Sequence, residues 1–303
     1  MIRLFSFSTP DHEQGIGVDT DEGVIDVSRA LTIYQKAKGV RSPIPVTFLQ
    51  ILVEMGYCSQ TMMADVLQES WVKSKLKELR LASGFRWELP IARPSKIICL
   101  GRNYRAHARE LDHDIPQEPI IFCKAPSSLI PHEAEIRIPA WMDERVDYEA
   151  ELALVIGRSA KNTPREHALD HISGYTILND VTARSIQKAD MERKQPWFRS
   201  KSLDTFCPMG PYLTPQDSGI NPNDLEITLT QNGEPRQKAN TSSMIFPIPD
   251  ILSFVSRFMT LHPGDVIATG TPEGIGPIQD GDELEITISG LGTLKNRVVR
   301  ETV

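Results

Sequence analysis

Val146-Asp147-Tyr148-Glu149-Ala150-Glu151-Leu152-Ala153-Leu154-Val155-Ile156-Gly157 reads as a buried strand that carries two carboxylates at i and i+2. In a strand that spacing sets both side chains on one face. Burying one unpaired carboxylate is costly, and two side by side are worse, because each raises the other's cost of ionising. A hard divalent cation removes the conflict, since Mg²⁺, Mn²⁺ and Ca²⁺ take oxygen ligands. The plainer alternative is one Glu facing a sheet edge and one paired with an Arg. The apolar run Leu152 to Ile156 argues against a simple exposed charged strand.

Outward from this strand the chain is of ordinary globular composition. Its 303 residues are 24% charged and 40% hydrophobic, with a net charge of −7. No basic run interleaves with aromatics, which excludes an evident nucleic-acid surface. No apolar stretch reaches the length of a membrane span. Met1-Ile2-Arg3-Leu4-Phe5-Ser6 lacks the pattern of a signal peptide, so a cytoplasmic protein is expected. Cys58, Cys99, Cys123 and Cys207 form no CxxC pair, and neither disulfides nor a zinc–thiolate site is expected. Cys99 and Cys123 lie in apolar segments and read as core residues.

Residues 1–92 differ in texture from residues 93–303. The first part predicts strands at Ile16–Val18 and Val24–Val27, and a helix capped by Ser28. Further helices are predicted from Thr47 and over 61–80. Pro90 and Pro94 bracket the change, with the boundary between Leu89 and Lys96. Beyond it strands dominate: Ile97–Leu100, Ile120–Lys124, Leu152–Ile156, Gly174–Leu178, Leu225–Gln231, Val266–Ala268, Glu283–Ile288 and Thr293–Val299. Asn232-Gly233 signals a hairpin turn, and Ile248–Phe258 an amphipathic helix. With few helices and no regular βα alternation, the fold class is α+β, mainly β.

Four stretches carry chemistry. In Gly101-Arg102-Asn103-Tyr104-Arg105-Ala106-His107-Ala108-Arg109-Glu110, Asn103 can cap a short helix on which His107 and Glu110 share a face. A carboxylate on an imidazole raises its basicity and orients it for general-base work, although surface His–Glu pairs are common. Asp180, after the strand 174–178, is placed either as a third oxygen ligand or as the cap of a helix from Thr182. Lys201 is either a stabiliser of a developing oxyanion or enolate, or a solvated lysine. The Gly-rich loop 268–277 lacks the Lys of a phosphate loop. Its amides and the Thr271 hydroxyl can hold a carboxylate, or the loop is only a tight turn.

Taken in order, Gly-Arg-Asn-Tyr-x-x-His-x-x-Glu (101–110), Tyr-Glu-x-Glu-Leu (148–152), Asn-Asp-Val-Thr-Ala-Arg (179–184), Lys-Ser-x-Asp-Thr (201–205), Cys-Pro-x-Gly-Pro (207–211) and Gly-Thr-Pro-x-Gly-Ile-Gly (270–276) resemble the fumarylacetoacetate hydrolase family over residues 96–301. The resemblance implies a mixed β-roll catalytic domain preceded by a small N-terminal α/β domain. It implies Mg²⁺ or Mn²⁺, with Ca²⁺ as a substitute, held by Glu149, Glu151 and Asp180. It places His107 and Glu110 as the water-activating dyad on a lid segment and Lys201 as the active-site lysine. Arg184, Gln187 and Thr271, with Arg102, Tyr104 and Gly270 of the same motifs, fall to substrate binding. The expected reaction is hydrolysis of a C–C bond in an acylpyruvate or similar diketo acid through an enolate. Decarboxylation or tautomerisation of a 2-oxo acid on the same site is the alternative, and a non-catalytic metal-dependent binding protein a further one. A homodimer is expected from the resemblance alone.

Overall fold

The decisive stretch folds as two strands, Val146–Tyr148 and Ala150–Ile156, with Glu149 at the joint between them. These come from a computed structural model, which describes residues 1–11, 13–20, 23–110 and 114–302. Ala150–Ile156 is buried at every position because it lies inside a large sheet that is covered on both faces. That double burial explains why its sequence shows a continuous apolar run instead of alternation.

Its neighbours are Ile172–Asn179 and Val266–Ala268, both antiparallel to it. The sheet continues on one side through Ile97–Gly101 to Ile120–Lys124. On the other side it passes through Cys207–Pro215 to Arg3–Ser8, Gln14–Thr20 and Gly23–Asp26. Residues 1–92 therefore share a sheet with the rest of the chain, the junction being Leu4 opposite Leu213. Val266–Ala268 runs parallel to Ile97–Gly101, so the sheet is mixed. The chain is α+β with strand predominating over helix, as its sequence predicts.

Two cores follow from alternation along the central strand. Leu152, Leu154 and Ile156 pack toward Ile227, Leu229, Ile286 and Ile288 of a second, five-stranded sheet and toward the helix Ile248–Phe258. Ala153 and Val155 pack toward Leu4, Ile16, Val18, Leu31 and Leu49 of the N-terminal segment. Glu151 continues the odd-numbered face at the start of the strand, where the chain turns toward the site. A small three-stranded sheet joins Val146–Tyr148 to Thr182–Ala183 and Gly276–Pro277. Three of the sequence motifs meet there.

Several local expectations need correction. Ser28 does not cap its helix: the helix is Val27–Ala37, its cap is Asp26, and the Ser28 hydroxyl instead accepts a hydrogen bond from the Ile16 N–H at 2.8 Å. The stretch 61–80 is three short helices, Gln60–Gln68, Ser70–Lys73 and Leu76–Leu79. Glu69 adopts an extended conformation, with ψ 133°, and its carboxylate accepts from the Ser70 N–H. Hydrophobic periodicity does not sense such a local competitor. Cys123 is exposed, not core. The hairpin at Asn232-Gly233 forms as predicted, with φ of 55° and 79° at the two residues. Among the described residues no helix is long and apolar enough to cross a membrane.

Candidate metal and substrate site

Glu149, Glu151 and Asp180 converge. All three are buried, and one carboxylate oxygen from each lies within 4.8 Å of the others. Main-chain bonds set the convergence. The Glu149 N–H donates to Asn179 Oδ1 at 3.0 Å, and the Asp180 N–H donates to the Glu149 carbonyl at 2.9 Å. Asp180 is thereby locked beside the joint between the two strands. It caps no helix, since the following helix is Arg184–Glu192 and begins after Ala183.

Cations surround two of the three carboxylates. Lys201 Nζ donates to Glu149 Oε2 at 2.8 Å and to Asp180 Oδ2 at 2.6 Å, and Lys124 Nζ donates to Asp180 Oδ1 at 2.7 Å. Arg184 reaches Glu149 Oε1 at 2.5 Å and Asp147 Oδ2 at 2.8 Å, and its third donor goes to Gln187 Oε1. Lys201 is 2% exposed, which disposes of the solvated-lysine alternative. Among the described residues Glu151 has no such partner; its Oε2 accepts from the Gly270 N–H at 2.7 Å.

The electrostatics divide accordingly. Burial pushes Glu149 up, but Lys201, Arg184 and His107 outweigh it and hold the carboxyl well below the usual range. Burial, then the charges of Asp180 and Glu149, push Glu151 well above that range. Burial favours neutral Lys201, yet Asp180 and Glu149 keep it charged and raise it. A buried, oxygen-only donor set with one carboxylate left uncompensated fits a hard divalent cation.

Across the cavity, His107 is 5% exposed on the helix Arg105–Glu110. Its Nδ1 lies 3.2 Å from Glu110 Oε2, and Glu110 Oε1 accepts from the Gly274 N–H at 3.1 Å. The Gly-rich loop thus does hold carboxylates, but they are the protein's own: Glu151 at Gly270 and Glu110 at Gly274. Both glycines have positive φ, 96° and 91°, and a Cβ on Gly274 would meet the Arg236 carbonyl oxygen at 2.3 Å. Asn103 is not the cap of this helix. Its side chain donates to the Thr269 and Phe246 carbonyls and accepts from the Phe246 N–H, tying the approach to the helix onto two other segments. Asp112 and His113, part of the expected lid, lie outside the described residues.

Arg102, His107, Glu149, Glu151, Arg184, Gln187, Lys201 and Thr271 line one cleft of about 420 Å³ including its mouth. Thr271 Oγ1 accepts from Gln237 Nε2 at 2.9 Å, which leaves its own proton for a ligand. Tyr104 does not reach this cleft. It is 1% exposed in the core, and its hydroxyl has no hydrogen-bond partner among the described residues. Gly270 does not line the cleft either and acts through Glu151. Lys124 and the apolar wall of Leu100, Phe122, Met191 and Trp197 were not singled out in the sequence. Lys124 had one available signal. It closes the apolar strand Ile120–Lys124 two residues after Phe122, on the same face.

Comparison with known proteins fits this arrangement. The family model described as fumarylacetoacetate (FAA) hydrolase C-terminal matches residues 96–299. The chain belongs to the fumarylacetoacetate hydrolase family. It is 38% identical over 299 residues to oxaloacetate tautomerase YisK of Bacillus subtilis, covering 94% of this chain and 95% of that one. Among solved structures, the fumarylacetoacetate hydrolase of Exiguobacterium antarcticum superposes with a TM-score of 0.82 at 34% identity, covering 99% of this chain and all of that one. The fumarylpyruvate hydrolase of Pseudomonas aeruginosa, in complex with Mn²⁺ and pyruvate, gives 0.66 at 36% identity, covering 73% and 93%. The mixed β fold described here is that of the fumarylacetoacetate hydrolase family.

Proposed function

We propose that the protein is a divalent-cation-dependent enzyme of 2-oxo acids that works by forming and quenching an enolate. The observation that carries this reading is an imidazole backed by a carboxylate, facing a buried carboxylate triad across one cleft. Mg²⁺ or Mn²⁺ on Glu149, Glu151 and Asp180 would supply Lewis acidity that polarises the carbonyl of a chelating 2-oxo acid. The remaining work falls to the chain's own side chains. His107 presents Nε2 as the free nitrogen, because Nδ1 is engaged by Glu110. Glu110 fixes the ring and stabilises the imidazolium that forms when a proton is taken. Lys201 sets a buried ammonium beside the oxygen on which negative charge develops. The Thr271 hydroxyl has a proton to donate to a substrate oxygen. Arg184 is committed to Asp147 and Glu149, and its role is to orient Glu149.

Tautomerisation of a 2-oxo acid such as oxaloacetate is the first reading. It needs only that His107 remove a proton and return it elsewhere, and one relative that corresponds nearly end to end is named an oxaloacetate tautomerase. Hydrolysis of an acylpyruvate is the second reading. There His107 deprotonates a water that attacks the distal carbonyl, and a relative with Mn²⁺ and pyruvate is named a fumarylpyruvate hydrolase. Decarboxylation has less support, since loss of CO₂ creates the enolate without any base. Keto–enol exchange of oxaloacetate and loss of fumarylpyruvate absorbance, each with Mg²⁺, Mn²⁺ or EDTA, test the proposal. Metal-dependent exchange without cleavage supports the first reading, and metal-dependent release of pyruvate the second. Neither activity with either metal would refute both.

A further inference from the structure

The cations of the cleft are unequally engaged. Lys201 is bonded to Glu149 and Asp180, and Arg184 to Asp147, Glu149 and Gln187. Arg102 also lines the cleft, yet among the described residues its guanidinium has no hydrogen bond and no carboxylate partner. It is only partly exposed, and its loss of water makes the charge costly to hold, lowering its affinity for the proton. A half-buried charge without a counter-charge calls for an anion.

The backbone directs that charge. Arg102 follows the end of the strand Ile97–Gly101 and takes φ 57°, a left-handed conformation that residues with a Cβ rarely adopt. Its guanidinium carbon lies 5.8 Å from the centre of the Trp197 ring. Trp197 can come that near because Gly101 has no side chain: a Cβ there would meet the indole at 2.9 Å. Glycine, strained arginine and tryptophan together fix a planar, five-donor fork at the wall of the cleft. The wall below it, Leu100, Phe122 and Met191, is apolar and offers no competing anion.

We infer that Arg102 receives a second, distal carboxylate of the substrate, so that the enzyme selects 2-oxo dicarboxylic acids over 2-oxo monocarboxylic acids. This rests on the 2-oxo acid reading above. The 2-oxo carboxylate end lies at the triad and Thr271, and the far carboxylate reaches the Arg102 fork. Trp197 is a positioning residue that holds the fork.

Calorimetric binding with Mg²⁺ separates the possibilities through three ligands. Oxalate is a chelate with nothing beyond it. 2-Oxobutyrate ends in a methyl group where oxaloacetate ends in a carboxylate. The wild-type protein is expected to bind oxaloacetate about ten- to a hundredfold more tightly than 2-oxobutyrate, the range of a charge-assisted hydrogen-bonded pair. Arg102→Gln should bring that ratio to within about twofold while oxalate and 2-oxobutyrate keep their affinities. Arg102→Lys should restore part of the preference. No preference in the wild-type protein, or equal weakening of all three ligands by Arg102→Gln, would overturn the assignment. Failure of oxalate to bind the wild-type protein with Mg²⁺ would instead bring down the 2-oxo acid reading itself.

Discussion

Lys124 is a buried ammonium that bonds Asp180 Oδ1 and the Val181 carbonyl, and with Lys201 it sets the charge of the triad. Replacing it with the similarly shaped Met should destabilise the metal-free protein by about 3 kcal/mol, as breaking one side of a buried pair does. Urea unfolding reads this directly, and unchanged stability would mean that the pair contributes nothing. Glu151 gives a pH prediction. Burial and its two carboxylate neighbours raise it, so the metal-free fold keeps a proton there that the unfolded chain would release. Its ionisation therefore costs stability as pH rises through the raised value, and a cation that binds must displace the proton. Cation affinity should fall about tenfold per pH unit below that value. Calorimetry in buffers of different ionisation enthalpy should show proton release in the wild-type protein and none in Glu151→Gln. His107→Ala should lower kcat by about 10²- to 10⁴-fold, the usual range for a lost general base, with oxalate affinity unchanged. Parallel loss of oxalate binding would show a structural role.

Among the elements, those with a regular hydrophobic period were legible and those shaped by side-chain competition were not. Ile248–Phe258 and the hairpin at Asn232-Gly233 form as their patterns predict. Glu149 and Glu151 were legible because two acids in an apolar strand have few physical explanations, whereas Asp180 read as well as a helix cap until the family resemblance was drawn. Lys124 was not, since a lysine at a strand end is ordinary until Asp180 is seen beside it. Asn103 had the right identity for a helix cap, but its Oδ1 accepts from the distant Phe246 N–H in place of a local N–H, while its Nδ2 donates to the Thr269 and Phe246 carbonyls. The loop 269–276 tests this scale. Gly274→Ala would press a methyl group against the Arg236 carbonyl and disfavour the φ of 91°, withdrawing the N–H that anchors Glu110. Its kcat should fall to the level of Glu110→Gln; unchanged turnover would mean that the anchor is dispensable.

For the molecule as a whole, the change of texture near residue 92 is real in sequence but is crossed by both hydrogen bonds and core packing. Composition reports which elements each part forms; it does not report which sheet a strand joins. Global stability should also carry the mark of His132, whose Nδ1 accepts from the Lys295 N–H at 3.0 Å and whose ring packs edge-on to Trp87. Burial, with the nearby Lys295 charge, lowers it to about 4. The unfolded chain takes up this proton first, so the stability is full above the ordinary histidine range and is lost as pH falls toward 4. Over that window the wild-type protein should lose about 1–2 kcal/mol that His132→Gln does not, the full shift being discounted for solvent screening, by denaturant titration at each pH. Equal acid sensitivity of the two proteins would remove His132 from the account. The amides of Gly270 and Gly274 carry a consequence for evolution. They hold carboxylates from the two sides of the cleft, and they are main-chain groups four residues apart on one loop. The spacing between proton acceptor and triad is therefore written into a backbone shape that holds as long as Gly274 stays a glycine. Mutation is left free to reshape the walls between them, so one scaffold can change its substrate without having to reinvent its chemistry.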